Sequence, residues 1–313
     1  MRTRVTKLLQ IQNPVIMGGM AWIGTTGLAA SVSRAGGLGV LGASTMSGPD
    51  LEKAISMLRD SGITGFGVNI SLVAEGFEDL VRVVERAKVP VVTVSGGDPR
   101  ILTGRLKDSG AIVLHVVPSP RLAEKACYAG VDIVIAEGVE AGGHVGGKEL
   151  PLFALLPMVK KTVDIPVVAA GGIGSGRAMA AAFCLGAEAV QIGTLFAASR
   201  ESPASRIYKE MLVKAGVETP VIYGRNDQPA RALLTPVVEK LVRLDRSGAK
   251  RNEIRHVRGL GRARAGLVGG DLEQGIFPAG LSAAWVDSIN SVSNIMSKLL
   301  FEFIQAGKEL QNE

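Results

Sequence analysis

Cysteine, histidine and aromatic residues are all scarce in this chain. Phe, Trp and Tyr make up 4% of its 313 residues, and there are only two cysteines and three histidines. No CxxC pair or His/Cys cluster occurs, so we expect no metal site. Cys127 and Cys184 lie in segments with a helical pattern, and we expect them to be small, reduced core residues.

Long apolar runs are also absent. No run reaches the about 18 residues that a membrane-spanning helix needs, so we expect no membrane association. The basic N-terminal segment has neither a long apolar core nor a clear cleavage site, and we therefore expect a cytoplasmic protein. Glycine, in contrast, is abundant at 40 residues. A glycine-rich, aliphatic composition favours a parallel sheet packed closely by helices over a disordered or fibrous protein.

The net charge of +6 is concentrated in one region. Residues 200–264 contain fifteen Lys and Arg against seven Asp and Glu. Such a region could attract an acidic partner protein or a phosphate-bearing substrate, although solvated helix faces account for it equally well. Nucleic acid is not expected, because aromatic residues are not interleaved with the charges.

Eight short apolar runs alternate with segments of helical character. The runs are residues 14–17, 38–41, 66–70, 90–94, 112–117, 133–136, 166–170 and 189–192. Strand–helix alternation predicts a parallel sheet with right-handed crossovers, and eight repeats favour a closed (β/α)8 TIM barrel. We expect the barrel and its ligand site in residues 1–199, a small, mostly helical lid in 200–265, and a segment returning to the barrel in 266–313.

Two glycine turns follow the last two predicted strands. Gly171 and Gly172 end the seventh, and Gly193 with Thr194 end the eighth. Backbone N–H groups at such turns can approach an anion closely, and barrels of this kind bind phosphate after strands seven and eight. Further small residues follow other strands, which predicts a large flat ligand pressed against the backbone.

Polar side chains that could take part in catalysis or ligand binding also follow the strand ends. His144 lies in the long loop 138–151 between glycines, where an imidazole could exchange a proton or hydrogen-bond a substrate carbonyl. Glu137, at a strand end, should accept hydrogen bonds from loop amides or from a ligand. Asn69 and Gln191 carry amides suited to the edge of a heterocycle, or to a buried structural role. His115 is expected in the core and His256 at the surface.

The chain resembles the flavin-dependent family that includes nitronate monooxygenase (2-nitropropane dioxygenase) and the FMN-dependent enoyl-acyl-carrier-protein reductase. The passages that carry the resemblance are residues 14–22 (PVIMGGMAW), 29–42 (AASVSRAGGLGVLG), 67–70 (GVNI), 140–144 (EAGGH), 166–194 and, more weakly, 261–280.

The resemblance implies FMN across the carboxyl face of the barrel. Its backbone contacts would come from Gly18, Gly19 and Met20, and Asn69 would contact the ring edge. Further cofactor contacts are assigned to Glu137, Gly142, Gly143 and Gln191, and the phosphate would be held by Gly171, Gly172, Gly193 and Thr194. His144 matches the histidine assigned to catalysis or substrate orientation.

Two activities compete within the resemblance, and another flavin reaction on unsaturated acyl groups is also left open. The sequences at 18–22, 135–138 and 140–144 are closer to the enoyl reductase branch, in which NADH or NADPH drives reduction of a trans-2-enoyl thioester on acyl carrier protein. The alternative is oxidation of alkyl nitronates with O₂, which the scarcity of tyrosine disfavours because an aromatic-lined pocket is expected there. A phosphate-binding barrel without catalysis is a third, non-enzymatic reading. A homodimer through the lid or C-terminal helices is expected.

Overall fold

The computed structural model describes residues 1–259 and 261–311, so residues 260, 312 and 313 of the predicted lid and C-terminal segment lie outside it. Strands within the described residues are β1 (Val15–Met17), β2 (Gly39–Gly42), β3 (Phe66–Ser71), β4 (Val91–Ser95), β5 (Ile112–Val117), β6 (Ile133–Glu137), β7 (Gly143–His144), β8 (Val167–Ala170), β9 (Ala189–Ile192), β10 (Pro220–Tyr223) and β11 (Ala230–Leu233).

Eight of these strands form one parallel sheet in the order β1-β9-β8-β6-β5-β4-β3-β2. A parallel bridge between Ile16 and Leu38 joins the two edge strands and brings the sheet round to a barrel. The predicted (β/α)8 TIM barrel is therefore confirmed, and each predicted strand lies within one residue of the observed bounds.

The strands consist of β-branched and aliphatic residues that are buried on both faces, as parallel strands covered by helices require. The helices are α1 (Arg4–Leu9), α2 (Thr26–Arg34), α3 (Gly48–Asp60), α4 (Phe77–Arg86), α5 (Thr103–Asp108), α6 (Pro120–Tyr128), α7 (Leu152–Thr162), α8 (Gly176–Cys184), α9 (Thr194–Ala197), α10 (Arg206–Val213), α11 (Pro236–Arg246), α12 (Arg251–Arg258), α13 (Arg262–Leu267) and α14 (Val292–Gln311).

The lid contains a small sheet that the sequence did not predict. Strands β10 and β11 form an antiparallel hairpin, and β7 from the loop 138–151 adds to it as a third strand. A second hydrophobic cluster joins this sheet to helices α11 and α12 through Tyr223, Leu241 and Ile254. The domain bounds drawn from the sequence remain a prediction.

The expectation that the cysteines lie in the core was wrong for Cys184 and holds only in part for Cys127. Cys184 is exposed and Cys127 only half-buried, and both are free thiols. Helix α8 turns Ala182 inward and leaves Cys184 on its outer side, whereas Cys127 of α6 is partly buried and packs against the core. Across the described part of the chain, no helix is long and apolar enough to cross a bilayer.

Candidate active site

A cavity of about 620 Å³ opens at the carboxyl ends of the barrel strands. Its volume is within the range of roughly 300–1,000 Å³ that small-molecule and cofactor sites occupy. All thirteen residues proposed from the sequence line this cavity: Gly18, Gly19, Met20, Asn69, Glu137, Gly142, Gly143, His144, Gly171, Gly172, Gln191, Gly193 and Thr194. The structure thus brings them together, while their individual roles remain predictions.

The turns after β8 and β9 present backbone donors to the cavity. Gly171 and Gly172 have φ values of +91° and +72°, which glycine adopts with the least strain. Among the described residues, no protein acceptor pairs with the N–H groups of Gly171, Gly172 or Gly193. A Cβ at Gly171 would lie 2.9 Å from the Gly138 carbonyl oxygen. Unpaired N–H groups in a turn that excludes side chains are suited to an anionic ligand.

Asn69 and Gly19 also line the cavity and approach each other closely. A Cβ at Gly19 would lie 2.3 Å from atoms of the Asn69 side chain, so glycine is required for this close approach. The Asn69 amide nitrogen donates to the Thr93 hydroxyl at 3.0 Å and to the Thr93 carbonyl at 3.2 Å. The amide is therefore fixed against β4, and its carbonyl oxygen accepts a long hydrogen bond from the Ser95 hydroxyl at 3.5 Å. This oxygen can accept a second hydrogen bond from a ligand.

His144 belongs to the lid sheet as well as to the loop 138–151. Its backbone pairs with Ala230 of β11, and the next residue, Val145, donates its N–H to the Pro229 carbonyl at 3.0 Å. The imidazole is exposed because it faces the open cavity. Surrounding protein nevertheless lowers the pKa of His144 by desolvation, and the positive charge of Arg258 lowers this pKa further. A neutral imidazole, able to donate or accept a hydrogen bond, results near neutral pH.

Glu137 ends β6, in register with Ala170, immediately before the Gly171 turn. Burial raises the pKa of Glu137 to about 7. The expectation of a loop-amide clamp applies instead to Glu140, whose carboxylate accepts the Leu152 N–H at 3.0 Å at the start of α7. Because no protein hydrogen bond to the Glu137 carboxyl occurs among the described residues, this group is available to a ligand.

The remaining site residues are held by backbone packing. The Thr194 hydroxyl accepts the Gly280 N–H at 3.0 Å. A Cβ at Gly142 would lie 2.6 Å from the Gly280 nitrogen, so the loop 138–151 crosses the C-terminal segment at backbone contact. Gln191 and Met20 line the cavity on either side of Gly18 and Gly193.

Several cavity residues were missed by sequence reasoning because they come from the lid. Tyr223 and Arg258 line the cavity, as does Tyr208. Two of the three tyrosines therefore line the site, so the low tyrosine count does not by itself argue against an aromatic-lined pocket. The concentration of positive charge in residues 200–264 was the available signal for Arg258. His115 is fully buried and His256 exposed, as expected.

Titratable groups at the floor and rim of a closed barrel, at the carboxyl ends of its strands, define a (β/α)8-barrel enzyme. Comparison with known proteins gives its family. The model of the nitronate monooxygenase family matches residues 2–80 and 73–302. The chain therefore belongs to the nitronate monooxygenase family, a family of oxidoreductases.

Similar proteins carry different names. FabK from Thermotoga maritima is 47% identical, with a TM-score of 0.95 over 100% of this chain and 99% of the solved chain. The (3aS,4S,5R,7aS)-5-hydroxy-7a-methyl-1-oxo-octahydro-1H-indene-4-carboxyl-CoA dehydrogenase of Mycobacterium tuberculosis is 32% identical over 97% of this chain and 96% of its own length. A probable nitronate monooxygenase of Staphylococcus saprophyticus is 34% identical over 78% of this chain and 81% of its own length.

Proposed function

We propose that this protein is an FMN-dependent oxidoreductase that uses NADH or NADPH to reduce trans-2-enoyl thioesters on acyl carrier protein, in fatty-acid synthesis. The observation that carries the proposal is that glycine turns with unpaired N–H groups and His144 line one and the same cavity. Similarity along the whole chain to FabK, an enoyl-acyl-carrier-protein reductase, supports the reductase over other activities of the family.

The residues present fit FMN. The unpaired N–H groups of Gly171, Gly172 and Gly193 would hold its phosphate, and Gly18, Gly19 and Met20 would lie along the ring. The carbonyl oxygen of Asn69 and the amide of Gln191 would meet polar ring atoms. When bound, FMN would supply hydride transfer between the reduced nicotinamide and the β-carbon of the enoyl group.

His144 and Glu137 would act on the substrate side. With a lowered pKa, His144 would be neutral and would hydrogen-bond the thioester oxygen or direct a proton to the substrate. Glu137, with a pKa of about 7, could hold a proton at working pH next to the cofactor site. The lid would cover the reacting groups and exclude water.

Nitronate oxidation with O₂ is the second candidate. The family match, the probable nitronate monooxygenase relatives and the two tyrosines in the cavity favour it. In that reaction His144 would act as the base or anchor for the nitronate.

The main proposal, the enoyl reductase, also includes a homodimer, an acidic carrier protein bound at the basic lid and a cytoplasmic location.

One pair of assays distinguishes the candidates. Under argon, NADH or NADPH consumption that depends on a crotonyl thioester is expected. In air, rapid O₂ uptake on an alkyl nitronate, without turnover of the thioester, would favour the second candidate instead. Purified protein that carries no flavin and binds no added FMN would contradict both and support a barrel without catalysis.

A further inference from the structure

Two lid arginines line the same cavity as the barrel glycines. Arg258 ends α12 and Arg262 begins α13, and both contribute to the cavity wall. Arg258 lies 5.4 Å from the centre of the Tyr223 ring and donates from Nη2 to the Gln228 carbonyl at 2.6 Å. Its Nε is buried and has no hydrogen-bond partner. A buried, charged donor without an acceptor is costly unless a ligand supplies one.

Positive charge at this edge exceeds the negative charge available to it. Asp227, whose side chain is 1% exposed, is shared by Arg251 at 3.1 Å, Arg255 at 3.1 Å and Arg258 at 3.4 Å. One carboxylate cannot neutralise three guanidinium groups, and Arg258, 17% exposed, is the most buried of the three. Arg262 donates to the carbonyl and side-chain oxygens of Gln274, and it has no acidic partner among the described residues.

The positive charge of Arg258 affects a group in the candidate active site. The charge of Arg258 is close enough to lower the pKa of His144, so the arginine and the histidine share one electrostatic environment. The glycine turns that would hold the FMN phosphate belong to β8 and β9, whereas these arginines belong to the lid. The cavity therefore offers a second position for an anion in addition to the cofactor phosphate.

We propose that Arg258 and Arg262 form a binding site for the phosphate or diphosphate group of a substrate that enters beneath the lid. Guanidinium groups bind phosphate oxygens through paired, charge-assisted hydrogen bonds. Two substrates of the proposed function carry this chemistry: the phosphopantetheine or CoA arm of a thioester and the diphosphate of a nicotinamide dinucleotide. The inference rests on the proposed function, since a simple alkyl nitronate has no phosphate.

The binding test uses the flavin-loaded enzyme with CoA and NAD⁺ as probes, measured by calorimetry. R258Q and R262Q are compared with R255Q, which also loses a contact to Asp227 but has an exposed side chain outside the cavity. We expect about tenfold or weaker binding of at least one probe in R258Q and R262Q, and wild-type binding in R255Q. Absence of binding in the wild type, or unchanged dissociation constants in both variants, would overturn the inference.

Kinetics identify the source of the phosphate. If the thioester uses the site, R258Q lowers kcat/KM for crotonyl-CoA about tenfold more than for crotonyl-pantetheine, which lacks phosphate. If the dinucleotide uses it, R258Q slows flavin reduction by NADH but not by N-benzyl-dihydronicotinamide. Either pattern supports the site, and equal losses with and without phosphate would contradict it. A wild-type enzyme that binds CoA but reduces no thioester would refute the proposed function and leave the anion site standing.

Discussion

The carboxyl group of Glu137 makes the stability of the fold depend on pH. Its pKa of about 7 in the folded protein exceeds the ordinary value of 4.5, because the group is buried at the end of β6. Between these two values the folded state binds more protons than the unfolded state. Stability contributed by the protonated form is therefore lost as pH rises through about 7.

The variant E137Q tests this assignment, since glutamine cannot ionise. We expect the free energy of unfolding of E137Q to exceed that of wild type by up to about 3 kcal/mol at pH 8, seen as a higher unfolding temperature, and to match it at pH 4. Thermal unfolding of the purified proteins at both pH values measures the difference. The matched change E140A removes the carboxylate that accepts the Leu152 N–H and should destabilise at pH 8. An E137Q difference that is independent of pH would contradict the raised pKa.

The variant G171A tests whether the turn at Gly171 holds the FMN phosphate, because it adds only a Cβ. In G171A the new methyl group would meet the Gly138 carbonyl oxygen at 2.9 Å and the Ala141 nitrogen at 3.0 Å. G110A is the control, because Gly110 has φ +89° with no atom within 4 Å of a Cβ. Both variants carry the strain of a positive φ, but we expect only G171A to lose FMN, measured as flavin released per chain. Equal flavin content would place the phosphate elsewhere.

The site residues on the barrel were accessible to sequence reasoning for a physical reason. Each follows an apolar strand, and the carboxyl ends of parallel strands must meet at one face. No such rule applies to Arg258 and Tyr223, which do not follow a barrel strand. Their position depends on how the lid packs over the barrel, which is a long-range outcome that local periodicity does not encode.

Among the elements, β7 is the link between the lid and the proposed catalytic residue. It has two residues, Gly143 and His144, with no strand pattern, and it exists because β11 supplies a partner. Strands β10 and β11 have four residues each and are separated by a six-residue loop. Their alternating apolar pattern is therefore too short to be recognised among the helical segments around it. Tertiary pairing, rather than propensity, forms this sheet.

The buried side chain of Arg231 joins the lid sheet to the loop 138–151. It is 7% exposed, and it donates to the Val139 carbonyl from Nε at 3.0 Å and Nη2 at 2.9 Å and to the Pro220 carbonyl at 3.0 Å. We expect R231M to lower kcat about tenfold or more while retaining FMN, because the loop that carries His144 loses its support. R231K should recover part of the activity.

The control for Arg231 is R225M. Arg225 also joins the lid to the loop 138–151, through Glu149, but this ion pair is exposed and should contribute little. Steady-state kinetics and flavin content of R231M, R231K and R225M provide the comparison. If R231M kept wild-type kcat, or if R225M lost as much, Arg231 would not position His144.

At the scale of the whole molecule, the C-terminal helix completes the outer layer of the barrel. Helix α14 packs on α8 so closely that a Cβ at Gly176 would lie 2.3 Å from the Leu299 carbonyl oxygen. Phe183 and Phe303 add an edge-to-face contact at 5.1 Å. The sequence predicted a segment returning to the barrel but not its contact with α8, because glycine at a helix start signals no particular neighbour.

The variant G176A measures how much this contact contributes to the fold. We expect G176A to be destabilised by roughly 1–3 kcal/mol, since two backbones must move apart. G104A is the control, because Gly104 lies in α5 with nothing within 4 Å of a Cβ, and alanine there should be neutral or stabilising. Denaturant titration of both variants gives the values. Equal stability of G176A and wild type would mean that α14 is not packed this way.

The proposed reaction is tested most directly by a single turnover under argon. The flavin-loaded protein is first reduced with one equivalent of NADH or NADPH and then mixed with a crotonyl thioester, while the flavin absorbance and the product are followed. Rapid return of the oxidised spectrum, with one butyryl thioester formed per flavin, is the predicted result. Flavin that stays reduced with the thioester, but is reoxidised as soon as air is admitted, would contradict an enoyl reductase.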